Sequence, residues 1–254
     1  GFMESDTKLL NETHKLSQKL IDVEVLKKIN DIKNIGKRVE MCVSSTVILD
    51  TFSAFNEYCE LVNKPGGIEK HKVSLSFLTR YVFESYVTFL YIFKCKKGQT
   101  QIRAKAFYHY GEYKKGKMQK RDNLSEEEQE WSKYIPQKGK KSQWHGKTFQ
   151  DLSDETGYAP IVYQALSQFT HPGIFTMERI LLTPMYKGMI DDSVIFMSAT
   201  MCDMISCAHN LKLYGLKQKT SNEKEINQLV KRHDEAFVAL KKSREKKVPN
   251  PTQI

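Results

Sequence analysis

The sequence predicts an all-α fold, a single multi-helix bundle with a polar cluster inside it, and three observations carry that prediction. Apolar residues recur at helical spacing over long stretches, as in KLLNETHKLSQKLIDVEVLKKINDIKNI near the start and EKEINQLVKRHDEAFVALKKSREKK near the end. Helix stops are written in Gly and Pro, at Lys64-Pro65-Gly66-Gly67, Gly157 and Pro172-Gly173. Within the most apolar stretch, 73 to 93, the polar residues Arg80, Glu84 and Thr88 recur every four positions, which gathers them on one helical face.

Taken in order, Ser5 to Asn34 is charged with spaced Leu, Ile and Val, an amphipathic helix or a pair of them, and Gly36 marks a break. Arg38 to Val62 is more apolar and reads as a core helix stopped by the Pro-Gly-Gly turn. Residues 73 to 93 form a second core helix, too long for an ordinary strand. Thr100 to Arg121 is a basic, Tyr-rich helix weakened late by Gly111 and Gly116. A capping-box pattern at Ser125 and Glu128 heads a short helix that Pro136 ends, and a loop then delivers Trp144. Thr148 to Glu155 is a short helix closed by Gly157, and Pro160 opens another that runs to His171. Residues 172 to 190 read as an irregular apolar loop, and Asp191-Asp192 as the cap of a last core helix reaching Gly215. The expected organisation is 1–35 as an amphipathic segment on the core, 36–220 as the core bundle, 221–245 as a terminal amphipathic helix and 246–254 as a disordered tail.

Composition narrows the function classes. A net charge of +10 admits acidic partners, RNA among them, without demanding them. The five cysteines, Cys42, Cys59, Cys95, Cys202 and Cys207, contain no C-x-x-C pair and read as reduced core residues, so neither a metal site nor a cofactor is expected. The opening residues lack an apolar leader, and Arg80 with Glu84 would make the 73–93 stretch expensive in a bilayer; the expectation is a cytoplasmic protein without a membrane partner. P-loop, nucleophile-elbow and H-E-x-x-H patterns do not occur.

Two helices carry polar groups where core helices ordinarily have none. Arg80 and Glu84 stand at i, i+4, where carboxylate and guanidinium meet; if buried, breaking such a pair costs about 3–5 kcal/mol. Tyr163, Ser167 and His171 repeat the spacing of four, with His171 in a last helical turn that favours its imidazolium. Arg103 is a further candidate for the same pocket. A purely structural role for this cluster fits the same residues.

The runs RYVFESYVTFLYI, RAKAFYHY, WHGKT and YQALSQFTHP resemble the successive signatures of a widespread bacterial all-helical domain family of unknown function, over roughly residues 40 to 215. The resemblance carries over Arg80, Glu84, Arg103, Trp144, Tyr163, Ser167 and His171, and some relatives of such domains occur in abortive-infection and phage-defence settings, which suggests a defence role.

Two functional readings follow. In the first the chain is a metal-independent ribonuclease resembling HEPN domains, which cut RNA with an R-x4–6-H motif, His serving as acid/base and Arg steadying phosphate charge across a dimer. Its site is Arg80, Glu84, Arg103 and His171, with His109 as the alternative to His171 because Arg103 and His109 fit that spacing; Ala104 departs from the pattern. In the second the chain is a non-enzymatic module. Trp144, Tyr163 and Ser167 line a ligand site, while Lys105, Lys114, Lys115, Lys117, Lys120 and Arg121, interleaved with tyrosines, present a surface suited to phosphate contacts. A homodimer is admitted by either.

Overall fold

α1 (Phe2–Leu20) sets Leu9, Leu10, Leu16 and Leu20 on one face, and that face is what it buries. The chain is described here from a computed structural model covering residues 2–96, 98–118, 145, 147–158 and 184–245. After α1 the chain makes one short turn, α2 (Val25–Lys28), and a 3₁₀ turn, Ile29–Asp31. Asn34 then caps α3 (Ile35–Val62), its side-chain oxygen accepting the Lys37 N–H at 2.9 Å.

The Lys64–Gly67 turn ends α3 as the sequence indicates. Gly66 takes a left-handed backbone, and a Cβ on Gly67 would lie 2.0 Å from the Leu61 carbonyl oxygen, so only glycine fits. The turn leads through α4 (Gly67–Lys70) into α5 (Lys72–Phe93), which folds back on α3. α6 (Gln99–Met118) crosses α3 and α5. α7 (Phe149–Thr156) opens on a capping box in which Thr148 accepts from the Asp151 N–H and Asp151 from the Thr148 N–H, and closes at left-handed Gly157. α8 (Pro184–Asn210) and, after the 3₁₀ turn Thr220–Asn222, α9 (Glu223–Glu245) complete the described helices.

α8 lies at the centre, packed by α1, α5 and α9, because its sequence is apolar nearly all round; Ile190, Val194, Met197, Met201, Ile205 and Ala208 are fully buried. α5 is the second central helix, between α3, α6, α7 and α8. Burying large side chains such as Phe55, Phe83 and Phe89 contributes about 1.5–3 kcal/mol each. The Tyr58 hydroxyl is matched within this core: Tyr58 donates to Ser193 at 2.5 Å, and Ser193 in turn to the Ile190 carbonyl. The fold is all-α, and among the described residues the sole β feature is an isolated bridge between Ile21 and Leu216. No helix among them is long and apolar enough to cross a membrane.

Four local expectations are corrected. Gly36 is not a break but lies in the first turn of α3, where a Cβ would come within 2.5 Å of the Gln101 side chain; a small residue there admits the start of α6. Residues 184–190 are helical, not irregular, because Pro184 suits the first turn of a helix. Asp191 and Asp192 therefore sit within α8 rather than capping it. α8 ends at Asn210, short of Gly215, since Lys212 adopts a left-handed backbone. The helices expected over 125–135 and 160–171, the loop over 172–183 and the tail 246–254 lie outside the described residues.

Candidate functional site

Helical geometry places Arg80, Glu84, Val87 and Tyr91 on one stripe of α5, within roughly 60° of arc. At one end the Arg80 Nε donates to Glu84 Oε1 at 2.8 Å, and Thr88 returns its hydroxyl to the Glu84 carbonyl at 2.9 Å. The pair is not fully buried: the two side chains are 19% and 21% exposed, so water shares in their solvation.

The other end, about 10 Å along the axis from Glu84, is built around Tyr91. Arg103 of α6 donates from one terminal nitrogen to the Tyr91 carbonyl at 2.6 Å and lays its guanidinium over the Tyr91 ring, 3.8 Å from the centroid. Its second terminal nitrogen donates to Glu155 of α7 at 3.2 Å. Lys147 binds the other oxygen of the same carboxylate and also lies over the Tyr91 ring, at 5.3 Å. Three helices are thus tied together by two cations and one carboxylate, and among the described residues these three groups sum to one positive charge. Burial alone would raise the Glu155 carboxyl, but Lys147 and Arg103 outweigh it and hold the group below its ordinary value.

His145 packs edge-on to Tyr91 and Phe149, and its Nδ1 accepts the Lys147 backbone N–H at 3.1 Å. Burial, reinforced by the Lys147 ammonium, pushes its imidazole down to about 4, so it is neutral at pH 7. An apolar floor of Phe83, Val87 and Leu152, joined by Phe149, Tyr158 and Phe196, underlies the stripe and fixes α7 on α5.

Sequence reasoning placed Arg80, Glu84 and Arg103 in one pocket. The structure puts them on one face, but Arg103 serves the Tyr91 end and the Arg80–Glu84 pair the other. His109 is 6% exposed and edge-on to Tyr108. Because α6 is continuous, six residues turn Arg103 and His109 about 120° apart, and they do not meet within one chain. Trp144, Tyr163, Ser167, His171, Lys120 and Arg121 lie outside the described residues. Lys105 is half-buried on α6, and Lys114, Lys115 and Lys117 follow on the same helix. Tyr91, His145, Lys147 and Glu155 were not singled out from sequence. Tyr91 carried a signal, standing seven and eleven residues beyond Glu84 and Arg80 on the same stripe; Lys147 lay within the WHGKT run. Glu155 had none.

The sequence pattern defining a family of unknown function, DUF5677, matches residues 44–187, more than half the chain and the whole of α4 to α7. The chain belongs to the DUF5677 family. No curated protein and no solved structure matches it. The DUF5677 segment contains Arg80, Glu84, Arg103, Lys147 and Glu155, together with Trp144, Tyr163, Ser167 and His171. α1, most of α8 and α9 fall outside it, so the family segment is flanked by helices that cover α8. The DUF5677 description names no activity and no phage-defence setting.

Proposed function

We propose that this DUF5677 domain is a non-enzymatic binding module that takes a phosphate group of single-stranded RNA at the Tyr91 end of the α5 stripe. The observation that carries the reading is the convergence of Arg103 and Lys147 on one carboxylate, Glu155, which among the described residues leaves one cationic charge in excess at a part-exposed point. Arg103 uses two of its five donors among the described residues, and a phosphate oxygen is the acceptor that guanidinium geometry suits best. The lysine-rich sequence of α6 adds positive charge to the helix that carries Arg103, which favours the approach of a polyanion. Catalysis by Arg103 with His109 draws less support, since His109 is buried and turned away from Arg103.

Fluorescence anisotropy with a labelled single-stranded RNA across a salt series tests this reading. Expected are affinity that falls with salt, a slope reduced by about 0.7 in Arg103→Ala, and tighter binding in Glu155→Gln, which removes the competing carboxylate. Binding that is absent, or indifferent to both Arg103→Ala and Lys147→Ala in variants shown to be folded, overturns it. RNA cleavage by the parent that disappears in His109→Ala or His171→Ala would replace the module with the ribonuclease.

A further inference from the structure

Two exposed apolar surfaces lie away from the α5 stripe's Tyr91 end, and their charges are complementary. On α5, Val73, Phe77 and Tyr81 recur every four residues and are 41%, 50% and 45% exposed, a continuous apolar ridge with two aromatic rings. α3 and α5 run antiparallel through the α4 turn, and the Tyr81 hydroxyl donates to Asp50 of α3. Seven residues further along α3, about 10 Å, the exposed Glu57 comes level with Val73 and Phe77. The ridge is therefore rimmed by Asp50 and Glu57 on one side and by the internally neutralised Arg80–Glu84 pair on the other.

The second surface is the distal half of α9. Asn222, Ile226, Leu229 and His233 are buried, but beyond His233 the inner face only half-buries Ala236 and Leu240. The outer face leaves Phe237 38% and Val238 53% exposed, followed by exposed Lys241 and Lys242. The sequence runs on through Arg244, Glu245, Lys246 and Lys247, so residues 241–247 carry a net charge of +4. An aromatic and a branched aliphatic side chain beside a basic run match a ridge of Val73, Phe77 and Tyr81 beside an acidic rim.

We propose that the outer face of α9 in one copy of this chain docks on the Val73–Phe77–Tyr81 ridge of a second copy. Phe237 and Val238 cover the ridge, and Lys241 and Lys242 meet Asp50 and Glu57. The contact joins two different surfaces, so in a pair joined once the first copy retains a free ridge and the second a free α9, unless the pairing is reciprocal. It is independent of RNA binding and leaves Arg103 and Lys147 accessible.

Analytical ultracentrifugation of the full chain from low to high micromolar concentration reads the association directly. Expected is concentration-dependent self-association, weakened about tenfold or more by Phe77→Ser and equally by Phe237→Ser. Reversing Lys241 and Lys242 to Glu abolishes it, and adding Asp50→Lys with Glu57→Lys on the same chain restores it; such rescue would not follow from misfolding. A protein monomeric throughout overturns the proposal and assigns the ridge to a different chain. Self-association that ignores both serine substitutions, or charge reversal without rescue, also overturns it.

Discussion

Arg80 and Glu84 show how exposure sets the worth of a charged pair. Their bond is short and direct, yet each side chain keeps about a fifth of its surface in water. The 3–5 kcal/mol expected for a buried pair therefore does not apply. Glu84→Gln keeps the shape and removes the charge, and we expect it to lower stability by about 1–2 kcal/mol in urea denaturation, between the values for exposed and buried pairs. At the other end of the stripe Arg103 is held on three sides, by a carbonyl, a carboxylate and an aromatic face, which makes Arg103→Lys a non-conservative change. The His145 tautomer is also fixed locally: because Nδ1 accepts the Lys147 N–H, the proton of the neutral ring is on Nε2.

At the scale of elements, two glycines of identical chemistry have opposite roles. A methyl on Gly67 would meet the Leu61 and Val62 carbonyl oxygens at 2.0 and 2.9 Å, and these are backbone atoms at the end of α3 that cannot rotate aside. Gly67→Ala is expected to destabilise by about 2 kcal/mol or more, through the α3–α5 turn. Gly111 lies in α6 with nothing within 4 Å of its would-be Cβ. Gly111→Ala should stabilise the protein by about 0.5–1 kcal/mol, because it removes unfolded-state freedom without a clash. Thermal melts of the two variants side by side check both signs. The same elements were largely legible in the sequence: α3, α5, α7 and α9 appear within a few residues of their expected limits, since Pro-Gly-Gly, the Thr148 box and Gly157 are local signals. The start of α8 was not legible, because an apolar run after a proline reads equally well as a packed loop.

For the whole molecule, the flanking helices are joined by a buried polar network rather than by apolar contact alone. Ser198 of α8 lies 2.6 Å from His233 Nε2 of α9 and 2.9 Å from the Thr13 hydroxyl of α1, while His233 Nδ1 donates to the Leu229 carbonyl. Burial lowers the His233 pKa from its ordinary 6.5, so the ring is neutral at pH 7 and, with its proton on Nδ1, Nε2 accepts. For His145 and His233 the unfolded chain, at an ordinary value of 6.5, takes up protons before the folded one. Their stabilisation is complete above pH 6.5 and is lost as pH falls through the lowered folded values. Asp203 acts the other way: burial and then Asp234 raise its carboxyl to about 6 from 3.8, so it adds stability as pH drops through that window. Between pH 7 and 5 we expect the melting temperature of Asp203→Asn to fall more steeply than that of the parent. Parallel slopes would show that Asp203 does not titrate in this range.

The sequence alone determined that this chain is helical, where most helices stop, that Arg80 and Glu84 share a face, and which family signature runs through it. All of these are encoded within a few turns of chain, by periodicity, caps and spacing. Only the tertiary structure decided that Arg103 reaches Glu155, 52 residues away, and that Thr13, Ser198 and His233 meet. Such contacts depend on how α5, α6, α7 and α8 cross, and crossing is set by the packing of entire helix faces, which no local pattern records.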